Sequence, residues 1–270
     1  MDKSEAKPRR KLNSDQLLAL KLLFKFRFGS NDLIAQYFGK KDRSYVFKRL
    51  TILLEQGYIG KRFDGSYRIQ GKPAAYYLTP TGARILKGNF EDIELNIKSI
   101  YKDKTVSESF VQHCLDVFAV HNKLKEMYSD ELLFFTKAQL VSYDYFPNKT
   151  PDAYLRLKNG EGESQFFLDV YHDSQPFFTI VRRIKQYIHY SEDGDWAATE
   201  TDFPRVLIVC ESVSTQKRLI KRITRTLNDT CEDEIAFYVT MKAQLKTIKN
   251  NDAIWQEASD PETLLSLKSI

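Results

Sequence analysis

Asp152 and Asp169 are the residues whose types and spacing most directly suggest chemistry. The segments PDAYLRLKNG and SQFFLDVY read as strands, and Asn159-Gly160-Glu161-Gly162 between them is rich in turn formers, so the pair predicts a β-hairpin. A symmetric loop pairs Lys158 with Glu163, and counting outward sets Asp152 opposite Asp169 on one face. Two carboxylates that close repel unless a cation lies between them. Paired carboxylate oxygens suit Mg2+ or Mn2+, and no other cofactor is suggested. The competing reading is that single aspartates at strand ends are turn formers.

Other reactive types are less well placed. His113 and His121 lie eight residues apart on a helix expected over Glu108 to Met127, about 80° apart around it, which suits packing better than a shared metal. Cys114, Cys210 and Cys231 are odd in number and form no CxxC pair, so buried thiols in a reducing cytoplasm are expected. None of the 15 tyrosines stands beside a histidine cluster of metal-ligand form, and Tyr76-Tyr77 and Tyr187/Tyr190 read as core.

A second chemistry is written in charge. The net charge of +5 divides unevenly: residues 1–87 hold 19 Lys+Arg against 7 Asp+Glu, a balance of +12, and the remainder carries −7. A basic first third points to a polyanion. Residues 1–12 read as a basic arm, and 13–88 as a winged helix-turn-helix. Asn13 or Ser14 caps a first helix that Gly29 is expected to end; Ser30 or Asn31 starts a short second one closed by Gly39. The third helix is expected from about Asp42 to Gln56, stopped by Gly57. On it Val46, Phe47, Leu50, Leu53 and Leu54 fall within about 60° of Leu50 and form the expected core face. Lys41, Ser44, Tyr45, Lys48 and Arg49 lie opposite or on the flanks, where they can reach phosphates and base edges. YIGKRF and PAAYYL then predict two strands of a wing, their joining loop holding Asp64, Gly65, Arg68, Gly71 and Lys72, so that Lys61, Arg62, Arg68 and Lys72 lie near its flanks and tip. Thr79 caps a closing helix with Pro80 at its first position.

Residues 89–108 lose this pattern and are expected to link the domains, leaving 109–270 as the second. There LLFF, KAQLVSYDYF and the hairpin strands, then the helix carrying Gln186, the strand FPRVLIVCES and the basic helix TQKRLIKRITRTL, predict an α/β core. No run approaches the roughly 18 apolar residues of a membrane span, and the N-terminus lacks the apolar stretch of a secretory signal. Membrane association is not expected, and the cytoplasm is the expected compartment.

The run PD(152)…D(169)-V-Y(171) resembles the PD-(D/E)xK nuclease signature. That resemblance implies a restriction-endonuclease-like α/β domain in which Asp152 and Asp169 hold a metal that activates water for phosphodiester hydrolysis. Gln186 and Tyr190 match the QxxxY motif of some branches of that superfamily. Tyr171 stands where the lysine belongs, and a tyrosine offers no fixed cation near neutral pH. Lys185, or Lys149 before Asp152, is the substitute the resemblance allows. Taken with YYLTPTGARIL, VQHCLDVF, IKQYIHY and FPRVLIVCES, the chain over about residues 12–240 resembles the replication-relaxation family of plasmid and integrative-element proteins.

Three readings follow. The first is a DNA-binding protein of a mobile element acting in replication initiation, relaxation or transfer, with double-stranded DNA and replication or relaxation proteins as partners. The second is a metal-dependent endonuclease or nickase using Asp152 and Asp169. The third is a transcriptional regulator whose nuclease-like domain forms a homodimer.

Overall fold

A computed structural model describes residues 11–90, 97–160, 162–230, 235–249 and 252–270. Most of the expected basic arm, part of the expected linker, Glu161 and Cys231 fall outside the described residues. The chain divides into two compact units, 1–115 and 116–270.

In the first unit, α1 (Ser14–Phe26) opens on a capping box: the Asn13 side chain accepts from the Gln16 amide at 2.9 Å, and Gln16 reaches back to the Asn13 amide at 3.1 Å. The helix ends at Phe26, three residues before the expected glycine stop. Arg27 takes a φ of 65°, and β1 (Phe28–Ser30) follows at once, because the buried Phe28 packs with Ala75, Val111, Cys114 and Leu115. Ser30 caps α2 (Asn31–Tyr37), and Asp42 caps α3 (Arg43–Glu55). Gly57, at φ 71°, supplies the left-handed turn after α3 that a side chain would resist.

The strands β2 (Ile59–Arg62) and β3 (Ala75–Leu78) pair antiparallel from Ile59–Leu78 to Arg62–Ala75, and β1 joins the other edge of β3. The connection between β2 and β3 contains a short helix, α4 (Gly65–Ile69), where an open loop was expected. Asp64 caps it, and its Tyr67 is buried with its hydroxyl on Glu108. Thr79 caps α5 (Pro80–Asn89), with Pro80 in the first turn. After α6 (Ile97–Lys102), the segment before α7 (Glu108–Tyr128) is tied into this unit: Asp103 pairs with Arg27, and the Val106 carbonyl accepts from Arg62 at 2.6 Å. The division between the units falls within α7.

The second unit is built on a seven-stranded sheet. β4 (Leu132–Thr136), β5 (Ala153–Asn159) and β6 (Gly162–Val170) run antiparallel in series. Between β4 and β5 the expected strand KAQLVSYDYF is absent. In its place stands α8 (Lys137–Leu140), whose Gln139 caps the Thr136 amide, followed by irregular chain that folds Tyr145 and Phe146 against Trp196. Then α9 (Phe177–Asp193) leads to β7 (Arg205–Cys210), parallel to β6, and α10 (Val213–Thr230) precedes β8 (Phe237–Met241), parallel to β7. After α11 (Lys242–Thr247), β9 (Trp255–Glu257) and β10 (Leu264–Leu265) extend the edge antiparallel. One sheet face, with Phe167, Tyr171, Val206 and Ile208, packs on Ile180, Ile184 and Tyr187 of α9 and Leu219 and Ile223 of α10. His121 of α7 packs edge-on against Phe134, ring centres 4.8 Å apart. Mixed helix and sheet, with an α/β unit second, is the fold class.

Candidate functional site

The hairpin register carries the acid pair. Lys158 lies across from Glu163 and Ala153 from Leu168, so one more step sets Asp152 beside Asp169. The two interlock through the main chain: the Asp152 amide donates to Asp169 Oδ1 at 3.2 Å, and the Val170 amide donates to Asp152 Oδ2 at 2.9 Å.

The cation that relieves their repulsion is Arg183 of α9. Its Nε donates to Asp169 Oδ2 at 2.7 Å, its Nη2 lies 3.4 Å from Oδ1, and its Nη1 donates to the Lys149 carbonyl. Tyr187, one turn on, donates its hydroxyl to Asp169 Oδ2 at 2.9 Å and accepts from Arg183 Nη2 at 2.6 Å. Burial works against the Arg183 charge, yet Asp169 and Tyr187 outweigh it and hold the guanidinium pKa above its usual range. Burial first, then Asp169, pushes the Tyr187 phenol well up, so it stays a neutral donor.

Both Asp169 oxygens thus already accept from protein donors, and a fixed guanidinium lies where a divalent ion would. This donor set does not fit Mg2+ or Mn2+, which need carboxylate oxygens free to coordinate. Among the described residues no group of three His, Cys, Asp or Glu could hold a metal ion.

Of the other residues that the sequence nominates, Lys185 is exposed on the far side of α9, and Gln186 makes no hydrogen bond to the pair. The buried Tyr190 donates to the Tyr145 carbonyl. Tyr171 donates to the Gln175 carbonyl at 2.7 Å and packs in the core. Sequence reasoning missed Arg183, although a signal was present. On a helical wheel Arg183 falls among Ile180, Ile184, Tyr187 and Tyr190, and a cation inside an apolar stripe needs a buried partner.

A second polar cluster closes the carboxyl ends of the parallel strands. His172 Nδ1 lies 3.0 Å from Glu211, and its Nε2 meets Asp116 of α7. Lys242 reaches Asp116 at 2.7 Å and Glu211 at 3.2 Å. Lys242 meets both carboxylates and His172 lies within hydrogen-bond reach of both, a strand-end polar network tying α7 to β6, β7 and α11.

In the first unit the candidate nucleic-acid face divides into exposed and engaged residues. Lys41, Ser44 and Lys48 of the α3 region, Lys61 of β2 and Arg68 of α4 are exposed. Asp42, its carboxyl held below the usual range by Ser44, orients the Ser44 amide and hydroxyl. Tyr45 and Arg49 both turn to Asp15 of α1, with the Arg49 guanidinium 3.3 Å from the Tyr45 ring centre. Arg62 and Lys72 face Glu108 at 3.5 and 3.7 Å. Two exposed residues were not anticipated on this face. Arg43 is 68% exposed and pairs with Asp32, and Phe47, expected in the core, is 51% exposed because α3 buries only Val46, Leu50 and Leu53.

The fold and these sites define a two-unit protein: helices with a small antiparallel sheet first, an α/β unit on a mixed sheet second. The sequence model of the replication-relaxation family matches residues 20–206, across both units, and the chain belongs to that family. No curated protein matches. Two solved structures are similar. The structure of restriction endonuclease FokI bound to DNA shares 12% identity at a TM-score of 0.32, over 86% of this chain and 43% of that one. The structure of restriction endonuclease FokI shares 9% at 0.35, over 87% and 44%. This chain spans less than half the length of either, and so distant a likeness carries nothing for the sites.

Proposed function

We propose that this chain is a duplex-DNA-binding protein of a bacterial plasmid or integrative element, acting in replication initiation or DNA relaxation. The first unit is the reader, a winged helix-turn-helix in the cytoplasm. The observation that carries the reading is the exposed α3 face, with Lys41, Arg43, Ser44, Phe47 and Lys48 side by side in a segment of balance +12. Lysine, arginine and serine suit phosphate oxygens, and an exposed phenylalanine suits a thymine methyl in the major groove. Lys61 and Arg68 would add contacts from the wing. Tyr45 and Arg49 act through Asp15 instead, holding α3 against α1 at the angle that presents this face.

The test is duplex binding as a function of salt. Each phosphate that is no longer neutralised lowers the slope of log K against log salt by about 0.9. Lys41→Gln/Lys48→Gln therefore lowers the slope by about 2, and Lys72→Gln, engaged with Glu108, changes it by well under 1. Unchanged binding in the double variant would rule out α3 as the reading helix.

The endonuclease reading has one observation in its favour, the register that brings Asp152 and Asp169 together. Arg183 counts against it, and the acid pair is better read as the fastening between the hairpin and α9.

A further inference from the structure

The second unit carries a basic face that the reading helix does not explain. Residues 116–270 hold 19 Lys+Arg against 24 Asp+Glu, yet five of those cations stand within the 18 residues of α10. At 100° per residue Lys217, Lys221, Arg225, Arg218 and Arg222 fall within about 140° of the helix circumference. The opposite side, with Leu219, Ile220 and Ile223, is buried on the sheet. Lys217, Arg218, Lys221 and Arg225 are exposed. Lys217, Lys221 and Arg225 recur at four-residue steps and rise about 12 Å along the axis. They form one wall of a groove of about 620 Å³, with Gln256 and Pro261 also lining it.

The row is poorly neutralised. Arg225 faces Asp229 at 3.8 Å, an exposed pair of little strength, and Arg218 lies over the Phe177 ring at 3.7 Å. Among the described residues no carboxylate pairs with Lys217 or Lys221. An acidic unit that sets five of its 19 cations on one helical face, with no carboxylate paired to Lys217 or Lys221 among the described residues, presents a local positive potential suited to a regularly spaced polyanion.

We propose that the exposed face of α10 is a second DNA contact, binding the phosphate backbone of duplex DNA without base readout. Lys217, Lys221 and Arg225 supply the contacts, and the groove beside them admits the strand. The choice of duplex DNA as the polyanion rests on the reading of the first unit; the surface itself does not. Its consequence is that one chain grips DNA at two places, so removing either grip weakens binding without abolishing it.

The experiment uses the full chain and a fluorescein-labelled 40-base-pair duplex of arbitrary sequence, with anisotropy titrations between 50 and 200 mM KCl. Lys217→Gln/Lys221→Gln/Arg225→Gln is expected to lower the salt slope by about 2 to 3, at about 0.9 for each phosphate left without its cation. The charge-keeping Lys217→Arg/Lys221→Arg/Arg225→Lys should leave it unchanged. Should the triple glutamine variant melt early, Lys217→Gln alone serves, with a fall of about 1. A parental slope in the glutamine variants overturns the proposal, as it would if this face serves an acidic protein. Lys41→Gln/Lys48→Gln is measured beside them. A lowered slope there with none from α10 defeats this inference alone, and a parental slope in both sets defeats the DNA reading as well.

Discussion

Replacing Arg183 by methionine keeps most of the side-chain volume and removes the guanidinium that pairs with Asp169 beside Asp152. The side chains of Arg183 and Asp169 are 13% and 11% exposed, so water screens the pair weakly. Without the guanidinium, Asp169 keeps the Tyr187 hydroxyl and the Asp152 amide, but a carboxylate stays buried with a second carboxylate beside it. Removing one partner of a buried ion pair costs about 3–5 kcal/mol. In a unit of this size each kcal/mol lowers Tm by about 2–4 °C, so a fall of roughly 6–20 °C is expected. Both tryptophans, Trp196 and Trp255, lie buried in the second unit, so tryptophan fluorescence during thermal or urea unfolding follows that unit alone. Asp169→Asn added to Arg183→Met should restore part of the stability, because the orphaned charge is then gone. Melting of Arg183→Met within about 2 °C of the parent, with no rescue by Asp169→Asn, would refute the view that the guanidinium holds this pair.

Three further expectations concern chemistry and packing. Purified protein should not nick supercoiled plasmid in Mg2+ or Mn2+; metal-dependent nicking that disappears in both Asp152→Ala and Asp169→Ala would show that Arg183 leaves during turnover and restore the nuclease reading. Cys210 is buried, and burial pushes its thiol up to about 12. At pH 8 it should therefore be about 0.01% thiolate and escape iodoacetamide until the unit unfolds; mass-mapped labelling of Cys210 in native protein would contradict that burial. A Cβ on Gly82 would lie 2.0 Å from the Tyr58 carbonyl oxygen, a backbone atom that cannot step aside. Gly82→Ala should cost the first unit about 1–3 kcal/mol, read by circular dichroism during urea unfolding, and parental stability would mean that α5 shifts freely on β2.

Local rules made the secondary structure and the hairpin legible. The Asn13, Ser30 and Thr79 caps stand at positions the sequence offers for them, because capping needs only the residue and the amides two or three positions ahead. The β5–β6 register was legible for the same reason: a short turn fixes which residues face each other, and the juxtaposition of Asp152 and Asp169 follows from it. Departures appear where distant packing overrides local preference. Phe28 pulls the chain out of α1 early to reach its partners from β3 and α7, and Tyr145 and Phe146 leave the strand pattern to pack on Trp196. Whether an exposed-looking cation faces solvent or a carboxylate also depends on distant chain. Arg49 meets Asp15, Arg62 and Lys72 meet Glu108, and Lys242 meets Asp116, none of them within 30 residues of its partner.

What the sequence determined by itself was the basic character of the first third, the helix carrying its exposed face, and the two aspartates drawn together by one turn. What only the tertiary structure decided was what lies between those aspartates. Arg183 arrives from a helix whose position depends on how its apolar stripe seats on the sheet, and electrostatic repulsion between two carboxylates specifies that a cation must come without specifying which.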